Sequence, residues 1–302
     1  MTPTTPAPGA SPAASSGAVS VRSAREEAVA ALSRAGVPDP EVDAELLIGH
    51  LLGVGRGRVQ ALVVMDAELP PEDAATLRSL VERRAAREPL QHITGRAPFR
   101  SLELNVGPGV FVPRPETEQV AQFAIDALRA VPSPEPVAVD LGTGSGAIAL
   151  ALATEVPHAR VYAVENSPEA FIWARRNIDE VAALNLTPVF IDLADALPQL
   201  DGTVDVVISN PPYVPDDAIP RDPEVRLHDP HAALYGGPDG LDVVRTISRV
   251  AQRLLHPGGT LVIEHGELQG AAIRDLLTAD GWRAAATHRD LTTRDRATTA
   301  LR

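Results

Sequence analysis

The stretch DLGTGSG at residues 140–146 decides the fold of this chain. It follows a short apolar run at residues 136–140 and precedes a helical run at residues 147–154. Glycines let a chain turn tightly after a strand and let its backbone approach a ligand closely. The first turn of the following helix offers unpaired N–H groups. The stretch therefore predicts a strand, a tight turn and a helix that together form a nucleotide-type binding site.

Short apolar strands alternate with helices around this turn. We predict strands at residues 136–140, 160–165, 188–192, 204–209 and 260–264, and helices at residues 147–154, 168–181, 241–255 and 268–277. Continuous apolar strands separated by helices indicate a parallel sheet that is covered on both faces. Runs at residues 282–286 and 296–301 can add a closing hairpin. We therefore predict an α/β, Rossmann-like fold for residues 116–302.

The chain before this region divides into three parts. Residues 1–20 are mostly Pro, Ala, Ser, Thr and Gly, and such a segment cannot bury enough apolar surface to order itself. Residues 21–87 carry apolar side chains at helical spacing, which predicts a small domain of three to five helices. Residues 88–115 contain short β-type runs around a Gly-Pro-Gly sequence and predict a β-hairpin linker.

Charge and residue usage exclude several classes of function. The net charge of −13 disfavours a duplex nucleic-acid binder, because such proteins usually present a basic face. The chain has neither Cys nor Lys, which excludes thiolate chemistry, Schiff bases and the P-loop lysine. No pattern indicates a metal site, a signal peptide or an apolar stretch of the ~20 residues that a membrane span needs. We expect a cytoplasmic monomer without a metal.

Two acidic residues indicate which nucleotide-type ligand the turn binds. Glu165 ends the strand after the turn, where an acidic side chain can bind ribose hydroxyls. The GxGxxG/A pattern of NAD sites is also satisfied, through Gly142, Gly144 and Ala147. Asp140 favours S-adenosylmethionine over NAD, because a carboxylate attracts the cationic amino group of a methionine and repels a pyrophosphate.

A second motif, Asn210-Pro211-Pro212-Tyr213, follows the strand at residues 204–209 and indicates the chemistry. The side-chain carbonyl of Asn210 and the main-chain carbonyl of Pro211 can each accept one N–H of a substrate –NH2 group. The prolines fix φ and remove two backbone donors, and Tyr213 offers an aromatic face to a planar group. We therefore predict methyl transfer to the nitrogen of a flat, amide-like group, with Asn210, Pro211 and Tyr213 as the catalytic residues.

With these motifs the chain resembles the release factor glutamine methyltransferases of the HemK/PrmC family, over nearly its whole length from about residue 25. The resemblance is carried by residues 89–95 (PLQHITG), 111–118 (FVPRPETE), 140–146, 210–213, 233–241 (ALYGGPDGL) and 257–259 (PGG), with Glu264 and Gln269. The PRPxTE and GGxDGL stretches are far more specific than the glycine turn. One departure concerns a local turn: residues 290–296 read DLTTRDR where the family has Asp-Leu-x-Gly-x-x-Arg.

The resemblance implies a helical N-terminal domain that docks a protein substrate, and a class I methyltransferase domain with a mostly parallel seven-stranded sheet. It implies S-adenosyl-L-methionine as cofactor and class I peptide release factors as partners, methylated on the glutamine amide of their Gly-Gly-Gln motif. The implied cofactor-binding residues are Gly142, Thr143, Gly144, Ser145, Gly146, Glu165, Asp192, Leu193 and Asn210. The implied substrate-binding residues are Asn210, Pro211, Pro212 and Tyr213. Arg114, Glu116 and Thr117 are expected at the pocket wall, with helix capping as an alternative for Thr117.

Three other functions stay open at this point. An enzyme that methylates a glutamine of a ribosomal protein would have a similar sequence, since the helical domain selects the partner. An adenine-N6 DNA methyltransferase would use the same tetrapeptide, because adenine N6 is also a planar –NH2 group, but it would need a target-recognition domain and a basic cleft. Loss of Asn210 or Tyr213 would favour a protein that binds the cofactor without catalysis, and both residues are present.

Overall fold

A computed structural model describes residues 19–302, which form two compact units with their boundary between Thr94 and Gly95. Most of the low-complexity segment at residues 1–20 lies outside the described residues. Its last two residues form a short strand, β1 (Val19–Ser20), which pairs with β2 (Glu68–Leu69). The Ser20 hydroxyl then accepts the Ser23 N–H and caps the first helix. The helical unit therefore starts slightly earlier than the composition indicates.

The first unit has five helices among its described residues. These are α1 (Val21–Arg34), α2 (Pro40–Leu52), α3 (Arg56–Val64), α4 (Pro71–Ala85) and α5 (Leu90–Thr94). Their apolar faces meet in one core around Leu32 and Leu47. The buried Glu45 carboxylate on α2 accepts hydrogen bonds from Arg25 on α1 and Arg56 on α3. The helical unit extends through α5, which occupies part of the stretch that the sequence assigns to the hairpin linker.

The second unit begins with a hairpin and continues into one large sheet. Its strands are β3 (Arg96–Phe99), β4 (Leu102–Asn105), β5 (Val137–Leu141), β6 (Arg160–Glu165), β7 (Leu186–Phe190), β8 (Val204–Ser209), β9 (Leu255–Glu264), β10 (Arg283–Arg289) and β11 (Asp295–Leu301). Its helices are α6 (Pro115–Ala130), α7 (Ala147–Glu155), α8 (Pro168–Val181), α9 (Pro223–His228), α10 (His231–Leu234), α11 (Asp242–Leu254) and α12 (Gly270–Ala279). Strands β3 and β4 pair with each other, and the other seven form the sheet.

The seven-stranded sheet has the order β10-β11-β9-β8-β5-β6-β7. Strands β5 to β9 run parallel to one another, whereas β11 is antiparallel to both β9 and β10. The predicted α/β fold with a mostly parallel sheet and a closing hairpin is therefore confirmed.

Both faces of the sheet are covered at its centre, which explains why the central strand β8 is mostly apolar. Successive side chains of a strand point to opposite faces. Val206 and Ile208 of β8 pack on one face in a core with Leu150 of α7. Val207, between them, packs on the other face in a core with Leu254 of α11. The two faces of β8 therefore both carry apolar side chains in its middle, and its polar residues Asp205 and Ser209 lie toward its ends.

The strand order creates a crevice where a ligand can bind. From β5 the chain moves outward through β6 and β7, then returns to the other side of β5 with β8 and β9. Ligands of open α/β sheets lie at the carboxyl ends of the strands, at such a switch in strand order. The Ser209 hydroxyl donates to the Leu141 carbonyl oxygen at 2.6 Å and ties the ends of β8 and β5 together. The glycine turn and the tetrapeptide thus start side by side.

Some strand limits differ from the sequence prediction for identifiable reasons. Strand β7 ends at Phe190, because Asp192 caps a short 3-10 turn by accepting the Ala194 N–H at 2.9 Å. Strand β9 starts at Leu255 instead of residue 260, since Gly259 remains paired through its carbonyl with the Arg302 N–H at 3.0 Å. Backbone pairing across a glycine stretch is not encoded in the apolar pattern.

Thr293, in the turn between β10 and β11, is the residue that replaces the glycine of the resembled family. Its φ is 68°, a conformation that is strained for a β-branched residue. We expect Thr293→Gly to raise the free energy of unfolding by about 1 kcal/mol, because the relieved strain of ~1–3 kcal/mol exceeds the extra chain entropy of glycine. Thermal unfolding measures this effect.

Thr292→Gly is the matched control, because the Thr292 hydroxyl donates to Asp290 Oδ1 at 2.6 Å in the same turn. We expect this control to lower the melting temperature. A Thr293→Gly variant that melts at or below the temperature of the unaltered protein would contradict the strain assigned to Thr293.

Candidate active site

A cavity of about 410 Å³ lies within the second unit at the carboxyl ends of β5, β6 and β8. This volume falls in the range of ~300–1,000 Å³ that is usual for small-molecule sites. The predicted site residues that line it are Gly142, Thr143, Gly144, Ser145, Glu165, Leu193, Asn210, Pro211, Pro212 and Tyr213. The cavity thus brings the glycine turn and the tetrapeptide together. Gly146 and Asp192 are predicted site residues that do not line it.

The glycine turn depends on backbone conformations that other residues rarely adopt. Gly142, Gly144 and Gly146 have φ values of 76°, 58° and 84°. The N–H groups of Gly142 and Thr143 both donate to the Val164 carbonyl oxygen at 2.9 Å, which closes the turn against β6. A Cβ atom at Gly142 or Gly144 would meet no atom within 4 Å. These glycines are therefore required by the backbone and leave open space beside it.

Asp140 lies under the glycine turn and not in the cavity. Its side chain is fully buried, and its Oδ2 accepts the Thr143 hydroxyl at 2.6 Å and the Ala149 N–H at 3.2 Å. Burial raises the pKa of the Asp140 carboxyl to about 7. This position differs from the expectation that Asp140 meets the amino group of the cofactor. Its contacts hold the turn and the start of α7.

Glu165 lines the cavity and also holds the loops around it. Its Oε2 accepts the Gly144 N–H at 2.8 Å, and its Oε1 accepts the N–H groups of Asn166 and Ser167 at 3.0 and 2.9 Å. A carboxylate offers about four acceptor positions, so capacity for a further donor remains. Glu165 can therefore bind a ligand hydroxyl from a fixed position.

The loop after β7 reaches the cavity through Leu193 rather than Asp192. The Asp192 carboxylate is exposed, and its Oδ2 accepts the Asn166 Nδ2–H at 2.9 Å. Asn166 itself lines the cavity, and the sequence analysis did not identify it. Its place directly after Glu165 at a strand end is the signal that could have identified it. Asp192 therefore contributes to the cavity indirectly, because it holds the side chain of Asn166.

Thr117 contacts the tetrapeptide from the first turn of α6. The Asn210 Nδ2–H donates to Thr117 Oγ1 at 3.4 Å. The N-cap position of α6 is Arg114, and its side chain makes no capping hydrogen bond. The alternative role of Thr117 as the helix cap is therefore wrong. Glu116, beside Thr117, is half-buried and does not line the cavity.

The GGxDGL stretch packs directly on the tetrapeptide, backbone against backbone. A Cβ atom at Gly236 would lie 2.5 Å from the Pro212 carbonyl oxygen, and one at Gly240 would collide with the carbonyl oxygen of Tyr213. The Gln269 Nε2–H donates to that same Tyr213 oxygen at 2.9 Å. Two separate motifs thus fix the position of the tetrapeptide. Burial raises the pKa of Tyr213 to about 12, so its phenol is neutral near pH 7.

Arg114 and Phe111 form a further part of the cavity wall, and Phe111 was not a predicted site residue. The Arg114 guanidinium lies 4.9 Å from the centroid of the Phe111 ring. Its Nη2–H donates at 2.8 Å to Oδ2 of Asp229, whose side chain is fully buried. Burial raises the pKa of Asp229 to about 6, although the Arg114 charge opposes the rise. The paired Arg114 presents a fixed cationic and planar wall.

The arrangement suits direct group transfer between two bound molecules, which requires no side-chain nucleophile. Backbone N–H groups, one carboxylate (Glu165) and two side-chain amides (Asn166 and Asn210) surround the cavity. Within residues 19–302, no cluster of three or more His, Asp or Glu side chains could hold a metal ion. None of the helices in the same range is long and apolar enough to cross a membrane.

Comparison with known proteins gives matches along nearly the whole chain. Residues 23–95 match the family described as "PrmC N-terminal domain", and residues 101–222 match the "Methyltransferase small domain". A solved methyltransferase structure from Pyrococcus furiosus has a TM-score of 0.50 at 20% identity, covering 75% of this chain and 97% of that chain. This structural likeness shows the fold alone.

Two curated relatives are much more similar in sequence. The release factor glutamine methyltransferase of Streptomyces coelicolor is 53% identical over 276 residues, which cover 91% of this chain and 95% of that protein. The protein of the same name from Bifidobacterium longum is 48% identical, with 89% of this chain and 95% of that protein covered. Identity at this level over almost the full length of both proteins shows that this chain belongs to the family of release factor glutamine methyltransferases.

Proposed function

We propose that this protein transfers the methyl group of S-adenosylmethionine to the side-chain amide nitrogen of the glutamine in the Gly-Gly-Gln motif of class I peptide release factors. One observation carries the proposal: Asn210 and Pro211 line the same cavity as the glycine turn and Glu165. A donor and an acceptor of the methyl group can therefore be bound next to each other. The names of the curated relatives support the choice of substrate.

The cofactor half of the cavity fits S-adenosylmethionine. The open space beside Gly142 and Gly144 lets the backbone approach the ligand closely. Glu165 accepts hydrogen bonds from the ribose hydroxyls, and Leu193 offers an apolar contact to the flat base. When bound, the cofactor supplies a methyl carbon that is activated by a sulfonium group. Asn166, held by Asp192, borders the same half.

The substrate half holds the amide nitrogen in line with that carbon. The Asn210 side-chain oxygen and the Pro211 carbonyl each accept one N–H of the glutamine amide, and Tyr213 packs on its planar face. An amide nitrogen is a poor nucleophile because its lone pair is delocalised, so orientation matters; it can contribute up to ~7–11 kcal/mol in ideal cases. The two acceptors also stabilise the positive charge that develops on the nitrogen. Formation of the C–N bond would break the bond between the methyl carbon and the sulfur, leaving a neutral thioether, and the proton lost by the nitrogen would pass to solvent.

The remaining parts of the chain receive roles consistent with this reaction. We assign residues 21–87 to docking of the release factor, and residues 1–18 to a dispensable tail, since Val19 and Ser20 pair with β2 and Ser20 caps α1. The acidic charge of the chain favours a protein partner over DNA, since DNA binding depends on cationic contacts to phosphate. A cytoplasmic, monomeric enzyme without a direct nucleic-acid partner fits this substrate.

The experiment that tests the proposal offers several methyl acceptors to the same enzyme. Purified release factor, ribosomal proteins and plasmid DNA are each incubated with the enzyme and labelled cofactor, and mass spectrometry then locates the methyl group. We expect the label on the glutamine amide of the release factor. Label on ribosomal protein or DNA in place of the release factor would show that another substrate class is correct.

Glu165→Ala should weaken the binding of S-adenosylmethionine at least ~10-fold, because hydrogen bonds to a charged acceptor contribute ~1.5–3 kcal/mol each. The melting temperature should also fall, since three backbone N–H groups lose their acceptor. Glu155→Ala is the matched control: it removes a carboxylate that pairs with Arg100 outside the cavity, and we expect less than ~3-fold weaker binding. Titration calorimetry measures the affinity of each variant for S-adenosylmethionine. Equal affinities of Glu165→Ala and the unaltered protein would contradict the assignment.

A further inference from the structure

Glu264 is a buried carboxyl group that does not line the cavity. It ends β9 with 2% of its surface exposed. Thr117 lies in the first turn of α6, and Asn210 follows β8. Three elements that are distant in sequence therefore bring three polar side chains together behind the tetrapeptide.

The contacts within this group run from the Asn210 amide toward the carboxylate. The Asn210 Nδ2–H donates to Thr117 Oγ1 at 3.4 Å. The parallel register pairs Ser209 of β8 with Ile263 of β9, so Asn210 and Glu264 follow side by side. Burial raises the pKa of the Glu264 carboxyl, whereas both the Thr117 hydroxyl and the Asn210 amide lower it. An ionised carboxylate can only accept hydrogen bonds, so the hydroxyl and the amide N–H are the donors in these contacts.

A carboxylate in this position determines which way the Asn210 amide points. A side-chain amide has a donor end and an acceptor end, which exchange places when the group rotates by half a turn. In the reversed orientation, the Asn210 oxygen would lie against the carboxylate of Glu264. Two acceptor oxygens would then face each other with no hydrogen between them and would repel each other. The favoured orientation keeps the NH2 group on Thr117 and Glu264, and leaves the oxygen for the cavity.

Burial of Glu264 is unfavourable for folding by itself. Its Oε2 atom is buried without a hydrogen-bond partner among the described residues. A buried carboxyl with an unpaired oxygen destabilises the folded state relative to an apolar side chain of similar volume. Carboxyl groups kept in such positions are concentrated at functional sites.

We propose that Glu264 is a positioning residue of the methyl transfer, which holds the Asn210 amide with its NH2 group inward and its oxygen toward the substrate nitrogen. This inference rests on the function proposed above. It assigns the reaction a residue that touches neither the cofactor nor the substrate.

The charge state of Glu264 then couples the reaction to pH. Glu116 on α6, Arg296 on β11 and Tyr213 after β8 are the charged and titratable groups that face it. Burial raises the pKa of the Glu264 carboxyl to about 7. Above this pKa the carboxylate accepts from Asn210; below it the carboxyl carries a proton that competes for the Asn210 oxygen. The rate of methyl transfer should therefore fall as the pH drops below about 7.

Two variants of the full-length enzyme test the role of Glu264. In Glu264→Leu no acceptor remains, and we expect kcat on release factor to fall ~100-fold while KM and cofactor affinity change less than ~3-fold. In Glu264→Gln the side-chain oxygen still accepts from Asn210, so kcat should stay within ~10-fold of the unaltered enzyme and lose its decline below pH 7. Glu155→Gln, an acid paired with Arg100 outside the cavity, is the control and should keep the original pH profile.

The melting temperature separates positioning from a purely structural role. Glu264→Leu removes an incompletely paired buried carboxyl, so it should melt at or above the temperature of the unaltered enzyme. A loss of kcat that parallels a loss of folded protein would overturn the inference, as would unchanged kcat in Glu264→Leu or equal losses in both variants. An unaltered enzyme that transfers no methyl group to release factor would instead refute the proposed function, and this inference with it.

Discussion

Asn210→Ala is expected to lower kcat for methyl transfer to release factor by about 100-fold, which corresponds to the loss of one preorganised acceptor in a transition state. Asn210 lines the cavity beside Pro211, and its NH2 group is held by Thr117. Alanine removes the side-chain oxygen that fixes the substrate amide and stabilises its developing charge. Cofactor affinity should fall less than ~10-fold, because the glycine turn and Glu165 remain. Steady-state kinetics and calorimetry measure the two effects separately.

Asn185→Ala is the matched control for this variant. The Asn185 side chain donates to the carbonyl oxygens of Ala153 and Ala159 and does not line the cavity. This control should therefore lower the melting temperature and leave kcat of the folded enzyme unchanged. If Asn210→Ala kept kcat within ~3-fold of the unaltered enzyme, the role of Asn210 as a substrate acceptor would be refuted.

The second large effect is expected for Gly240→Ala. Gly240 has a φ of 73°, and a Cβ atom there would collide with the Tyr213 carbonyl oxygen. Backbone strain and overpacking each destabilise by ~1–3 kcal/mol, so the free energy of unfolding should fall by ~2–6 kcal/mol. The tetrapeptide must also move, and kcat of the protein that remains folded should fall at least ~10-fold. Denaturant unfolding and kinetics at low temperature measure the two quantities.

Gly258→Ala separates the collision from the strain. Gly258 also has a positive φ, at 94°, but a Cβ atom there would meet no atom within 4 Å. It lies in β9 near the Arg302 carbonyl oxygen, to which its N–H donates, and not in the cavity wall. We expect a moderate loss of stability and unchanged kcat. Equal kinetic losses in both glycine variants would mean that contact with the tetrapeptide is not the cause.

Features that depend on neighbouring residues were predictable from the sequence. The apolar runs gave β6 and β8 with their observed limits, because a strand covered on both faces is continuous in hydrophobicity. The turn at Gly142 and Gly144 was predictable because only glycine adopts such φ values readily. The position of Glu165 at the cavity was predictable because this residue ends the strand that follows the glycine turn.

Features that depend on distant partners were not predictable in the same way. Asp140 is a different case, because its partners Thr143 and Ala149 are close in the chain, but the residue pattern does not indicate whether the carboxylate points into the turn or into the cavity. The contact between Asn210 and Thr117 joins positions that are far apart in the chain, and it exists only because α6 and β8 pack together. The resemblance to a family marked Thr117 as a wall residue, but it did not distinguish a contact with Asn210 from a helix cap.

The most direct test of the central claim uses two forms of one release factor. The native factor and a variant in which the glutamine of the Gly-Gly-Gln motif is replaced by asparagine are incubated with the enzyme and tritiated S-adenosylmethionine, and label in the protein is counted. The account predicts label in the native factor and only background in the variant, since the shorter side chain cannot bring its amide to the Asn210 and Pro211 acceptors. Equal labelling of the two forms would contradict the account.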